Sequence, residues 1–147
     1  MNKNISIIKK SSLAIMVLSG LWSALYIFMG IYWLTDNNIH IQREICIKQG
    51  LNFFIEAAVL LLAGLVFYRI FRSGRPFTRG NIMGVRGIAG LFLIKGLVPV
   101  FVEGASLGIM KTGLQGLGSF FIAALFMFFA EIMRYGGLLQ NESDETL

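Results

Sequence analysis

The chain has 147 residues, of which 56% are apolar and only 14% charged, against about 25% charged in an average soluble domain. That balance, with 13 phenylalanines, excludes a domain folded around a core in water and points to a single domain dissolved in lipid. The net charge of +5 would suggest nucleic acid in a soluble protein; here membrane topology and contact with anionic lipid headgroups account for it.

The basic start, Lys3, Lys9 and Lys10, leads into an apolar run from residue 13 to residue 34. A signal peptide has an apolar core of about 7–15 residues and a small-residue cleavage site. This run is longer and ends in bulky Ile31, Tyr32, Trp33 and Leu34, so it predicts a retained first transmembrane helix. A first loop follows at 35–50. It holds His40, Glu44 and the single cysteine, Cys46. One cysteine excludes an intramolecular disulfide, and the spacing forms no zinc motif, so no metal is expected. Ile39, Ile41, Ile45 and Ile47 predict a short amphipathic segment lying at the membrane interface.

The second span is predicted at 51–70 and contains Glu56, five residues from its outer end, so about 7–8 Å deep. A basic loop occupies 71–84. The third span, 85–105, carries Gly87, Gly90, Gly96, Lys95 and Pro99, with Glu103 near its outer end. A flexible glycine-rich hairpin is expected at 106–116. The fourth span, 117–135, closes with Glu131 and Arg134. Continuous apolar runs of this length predict helices, because a barrel would alternate and lipid satisfies no open backbone. The short links make consecutive helices antiparallel neighbours. The expected architecture is an all-α, integral membrane four-helix bundle.

The basic residues set the orientation. Lys3, Lys9, Lys10, Arg69, Arg72, Arg75, Arg79, Arg86 and Arg134 fall on one side, and Arg43, Lys48 and Lys111 on the other. By the positive-inside rule both termini and the middle loop are cytoplasmic. Four charges fall where lipid should be: Glu56, Lys95, Glu103 and Glu131. Each needs a partner, water or a route to the interface. Lys95 lies eight residues below Glu103, close to the midplane and about 5 Å from the depth of Glu56. A Glu56–Lys95 pair is therefore predicted, either as a structural lock on two helices or as part of an outward-facing pocket shared with Glu103. Pro99 removes the amide that would bond the carbonyl of Lys95, so a kink at that charge favours such a pocket. Glu131 and Arg134, three apart on one helix face, predict an inner-surface ion cluster with Arg86.

Gly80, Gly84, Gly87 and Gly90 recur at spacings of three and four, which predicts a close-packing helix face. Gly20 with Ala24 predicts the same in the first helix. His40 is the sole histidine, no Ser-His-acid set stands out, and no Cys-x-x-Cys is present. The sequence therefore predicts no enzyme and no cofactor.

The segment Phe71-Arg-Ser-Gly-Arg-Pro-Phe-Thr-Arg-Gly-Asn81, followed by Val85-Arg-Gly-Ile-Ala-Gly90, resembles the signature of a bacterial family of small four-helix membrane proteins classed as a domain of unknown function. The matching positions are Gly74, Pro76, Phe77, Asn81, Arg86, Ile88 and Gly87 or Gly90. The similarity extends to the end of the chain through Glu131, Arg134, Gly136, Leu139, Gln140, Asn141 and Glu142, and departs from the family pattern at Ser143-Asp144-Glu145-Thr146. The resemblance implies a bacterial cytoplasmic-membrane protein without an assigned reaction, encoded beside small helix-turn-helix regulators. The roles it suggests are a membrane partner for a transcription factor or a part in a stress or peptide-defence operon.

The residues give a physical reason for the loop motif. Gly74 permits a tight turn, Pro76 fixes the backbone, Phe77 anchors the loop in the headgroup region, and Asn81 caps the third helix. Arg72, Arg75 and Arg79 then form a basic patch, for lipid phosphate or for an acidic protein partner. No recognition helix is present, so direct nucleic-acid binding is not expected. Two functions remain open: an accessory or regulatory protein acting through this loop, or a small transporter or resistance protein, as a homo-oligomer, built on the intramembrane polar residues.

Overall fold

The computed structural model describes residues 3–35 and 43–145. They form four helices: α1 (Lys3–Thr35), α2 (Arg43–Ser73), α3 (Arg79–Leu107) and α4 (Ile109–Glu145). No strand occurs among the described residues. Each helix contains a stretch long and apolar enough to cross a membrane: Ser6–Thr35, Arg43–Ser73, Arg79–Glu103 and Met110–Gln140. The fold is thus the all-α, multi-pass membrane architecture that composition predicts.

All four helices overrun their apolar cores. The 33 residues of α1 extend about 50 Å, against a hydrocarbon core about 30 Å thick. An apolar run marks only the lipid-immersed part of a helix, whose hydrogen bonding continues into the headgroups. This corrects the loops. Residues 43–50 are the first turns of α2 rather than an interfacial segment, so Ile45 and Ile47 belong to that helix. Glu44 sits in its first turn, where a carboxylate favours the positive end of the helix dipole. Ile39, His40 and Ile41 lie outside the described residues. The expected 106–116 hairpin reduces to Gly108 alone, at φ 86°, a left-handed conformation open to glycine. Its carbonyl accepts the Thr112 amide at 3.2 Å and the Thr112 hydroxyl at 3.1 Å. The middle turn spans only residues 74–78. It begins at Gly74, whose φ of 70° lets its amide reach the Ile70 carbonyl at 2.7 Å and close α2.

The helices pack in chain order. α1 meets only α2, α4 meets only α3, and α2 with α3 forms the central contact. The outer helices show why. On α1, Ser12, Ser19, Ser23 and Gly30 are buried, with Met16, Tyr26 and Trp33 half-buried between them. On α4, Thr112, Gly116, Ala123, Ala130 and Met133 are buried, with Ser119, Phe126 and Gly137 half-buried. In both, the spacing alternates four and three, the single seam of a left-handed helix pair. The seams are lined mostly by small residues, which let backbones approach closely where lipid removes the hydrophobic drive. The other faces expose Trp22, Phe28, Phe121 and Phe128, a surface suited to acyl chains rather than water.

Interhelical contacts follow the glycines. A Cβ on Gly116 would collide with the carbonyl oxygen of Gly96, making this the tightest α3–α4 crossing. A Cβ on Gly84 would stand 2.5 Å from Val66 Cγ2, and one on Gly64 2.8 Å from Ser19 Oγ. The predicted glycine face of α3 is therefore real at Gly84 and at Gly87, which meets Leu62. It ends before Gly90, which has nothing within 4 Å. Gly20 is likewise open and lies off the α1 seam, so the small pair predicted there does not pack a helix. The buried Ser23 hydroxyl donates across to the Ala57 carbonyl at 3.1 Å, joining α1 to α2.

Gly116→Ala should force α3 and α4 apart and destabilise the fold by about 1–3 kcal/mol. Gly113→Ala, at a position with nothing within 4 Å of its Cβ, should be neutral or slightly stabilising. Thermal unfolding of the two variants in mild detergent measures the difference; equal losses would contradict the close crossing.

Candidate functional site

The central hairpin, α2 with α3, gathers most of the predicted polar residues. Glu56 on α2 and Lys95 on α3 form an ion pair and hydrogen bond. The Lys95 ammonium also stands 5.9 Å from the centroid of the Phe92 ring, within reach of a cation–π attraction. The depth estimate placed these two residues within about 5 Å of each other in depth, a gap a lysine stem spans, and the structure brings them together.

Glu103 does not join them. Its carboxylate, only 4% exposed, pairs with the Lys48 ammonium at 2.5 Å. The reason is register. Lys48 lies eight residues before Glu56, and Glu103 eight residues after Lys95, about 12 Å along each helix. Antiparallel packing makes the two separations coincide. The same register sets Asn52 level with Pro99, midway between the pairs. The Asn52 Oδ1 is buried and accepts no hydrogen bond from the described residues. Pro99 is buried inside a continuous α3, where it deprives the Lys95 carbonyl of its usual amide partner. Lys48, Asn52 and Glu56 are spaced four apart and form one stripe on α2. The result is a polar ladder whose charges alternate: Lys48 with Glu103, then the amide, then Glu56 with Lys95 in the opposite sense.

At the other end of the hairpin the turn 74–78 is braced from three helices. The Ser73 hydroxyl donates to the Arg69 carbonyl at 2.8 Å and accepts the Arg75 amide at 3.1 Å. Arg69 Nη1 donates to the Gly80 carbonyl at 2.7 Å, tying the end of α2 to the start of α3. Thr78 is the N-cap of α3: its Oγ1 accepts the Asn81 amide at 3.3 Å. This corrects the expectation that Asn81 caps the helix. Asn81 stands one turn inside, wholly buried, and its side-chain Nδ2 donates to the Pro76 carbonyl at 3.0 Å and the Arg75 carbonyl at 3.4 Å. Phe77 lies against α4, with its ring beside Gly136 and its carbonyl beside Gly137. The side chains of Arg72, Arg75 and Arg79 stay exposed on this frame.

The third predicted group assembles as expected. Glu131 on α4 accepts Arg86 Nη2 from α3 at 2.5 Å and Arg134 Nε at 3.1 Å. With half-exposed side chains it lies at the surface, at the same end as the braced turn.

No family model, no curated protein and no solved structure matches the chain. The residues overlooked in the sequence are Lys48 and Asn52. The available signal was their spacing from Glu56; Lys48 was hidden because hydropathy alone starts the second helix at residue 51, and Asn52, inside that span, carries no charge to mark it.

Removing one member of a fully buried ion pair strands the other charge at about 3–5 kcal/mol, whereas replacing both with apolar residues approaches neutrality; the half-buried Glu56–Lys95 pair follows the same direction with a smaller loss. Lys95→Leu should therefore destabilise the protein more than the double variant Glu56→Leu/Lys95→Leu. Denaturant titration in detergent reads the comparison, and a double variant no more stable than the single one would refute the pairing.

Proposed function

We propose that the chain is a non-enzymatic accessory or regulatory protein of the bacterial cytoplasmic membrane, with both termini and the α2–α3 turn in the cytoplasm. Its working surface is the basic turn, and its partner is an acidic cytoplasmic protein. The observation that carries this reading is the bracing of the turn. Topology and general lipid attraction require positive charge but no particular backbone. Here a fully buried asparagine spends its amide on the carbonyls of Arg75 and Pro76, so Arg72, Arg75 and Arg79 are displayed on a fixed frame. Fixing charged side chains before encounter lowers the entropy lost on docking. The family resemblance adds a small helix-turn-helix regulator as the candidate partner.

A photo-crosslinking residue at Ser73 should capture a discrete protein adduct in native membranes. Arg72→Gln/Arg75→Gln/Arg79→Gln should abolish that adduct while preserving orientation, since six basic residues still face three across the membrane. Asn81→Ala, which leaves every arginine in place, should also weaken it. No adduct, or one indifferent to Asn81, would refute the docking surface.

The polar ladder favours a second reading, a small transporter or resistance protein working as a homo-oligomer. A buried amide oxygen that accepts no hydrogen bond from the described residues, set between two ion pairs, suits a hydrated path for protons or a small polar ligand. On that reading, purified protein in liposomes supports a proton or substrate flux that Glu56→Gln and Lys95→Leu each suppress at least tenfold. Absence of flux, or flux unchanged in both variants, removes it.

A further inference from the structure

The ends of α3 and α4 nearest the turn line a groove of about 440 Å³ that is separate from the arginines of α2. Three guanidiniums border it: Arg79, Arg86 and Arg134. Its walls are apolar, built from Ile82, Met83 and Leu138. Arg72 lies elsewhere, lining a different groove with Tyr68 and Arg69.

The charges are organised rather than scattered. Glu131 holds Arg86 through Nη2 and Arg134 through Nε, which fixes both side chains. Among the described residues that line the groove or pair with its rim, one carboxylate stands against three guanidiniums. Arg79 makes no hydrogen bond or ion pair with the described residues, and the terminal nitrogens of Arg134 make none either. The Nε of Arg86 is buried and without a hydrogen-bond partner among the described residues. Two of the three rim guanidiniums are thus held by Glu131, and the rim is short of acceptors among the described residues. Guanidiniums present paired N–H donors that match phosphate oxygens.

The position of the groove selects among phosphates. Its lining residues sit in the terminal turns of two membrane-crossing stretches, Arg79–Glu103 and Met110–Gln140. The rim falls at headgroup level, and the apolar walls continue toward the hydrocarbon. Met83 and Leu138 are more than half exposed, a surface that an acyl chain covers and that a soluble phosphate does not. We propose that this groove binds one anionic phospholipid, its phosphate held by Arg79, Arg86 and Arg134 and an acyl chain laid along Ile82, Met83 and Leu138. The site shares Arg79 with the docking surface at the turn but differs from it in needing α4 and in not using Arg72 or Arg75.

The test uses the full chain purified in detergent, with retained lipid counted by native mass spectrometry and thermal unfolding followed in parallel. Phosphatidylglycerol should bind with a stoichiometry of one and raise the midpoint of unfolding, while phosphatidylcholine and inorganic phosphate at equal concentration should not. Arg79→Gln/Arg134→Gln should weaken retention at least tenfold, in line with the attraction of each basic residue to an anionic membrane surface. Arg72→Gln/Arg75→Gln should leave it unchanged. Should the Arg79/Arg134 variant fail to fold, Arg79→Gln alone serves, because the Arg79 side chain makes no hydrogen bond or ion pair with the described residues, and it should still weaken retention severalfold. Equal retention of phosphatidylcholine, stabilisation by inorganic phosphate alone, or an equal loss in the Arg72/Arg75 variant would each overturn the proposal.

Discussion

Everything in this molecule hangs on the antiparallel contact between α2 and α3. α1 touches only α2 and α4 touches only α3, so one interface joins the two halves. In lipid, no hydrophobic force presses helices together. The ladder supplies what that force would: ion pairs that have no good alternative partner in hydrocarbon. It also fixes the register. With Lys48 and Glu56 on one helix facing Glu103 and Lys95 on the other, a slide of eight residues in either direction sets like charges against each other. Slides of one turn leave all four charges stranded. Polar groups retained to specify one arrangement are best attested in this registry role.

The same register positions the basic turn. Arg69 reaches Gly80 only when the ends of α2 and α3 are level. The turn is further held by Phe77 against Gly136 and Gly137 of α4. α4 in turn is seated by the Gly96–Gly116 crossing and by the Arg86–Glu131 pair. The conformation that displays Arg72, Arg75 and Arg79 is thus set by the packing of three helices and not by the turn residues alone. Proline and glycine start the turn; buried Asn81 and the helix ends complete it.

The polar residues were the legible part of the sequence. In a chain so apolar, each charge stands out, and depth counted along a helix was enough to put Glu56 within reach of the Lys95 side chain. The Glu131, Arg134 and Arg86 group followed from helical spacing. Lys48 was missed for a physical reason: the helix that carries it begins at Arg43, outside the greasy segment, and a hydropathy boundary cannot see hydrogen bonds that continue into the headgroups. Glu103 was consequently assigned to a pocket with Lys95, although its own partner lay level with it. Asn81 was misread because Thr78, three residues earlier, has an equally good capping side chain, and sequence alone does not decide which of two adjacent polar residues closes a helix.

The helix–helix seams were harder to read, because the usual signal is absent. In water, a helix declares its buried face by polarity. In lipid both faces are apolar, and the two differ in size instead. On α1 the buried positions are Ser12, Ser19, Ser23 and Gly30, while Trp22 and Phe28 face outward. On α4 they include Thr112, Gly116, Ala123 and Ala130, with Phe121 and Phe128 outward. The Gly20–Ala24 pair was picked out on one spacing of four, yet Gly20 has nothing within 4 Å, because a single pair does not show which face carries the longer run of serine and glycine. Counting all small residues at alternating spacings of four and three recovers both seams. It also shows that each outer helix has one such seam and each inner helix must serve two neighbours, which is the chain-ordered packing the structure adopts.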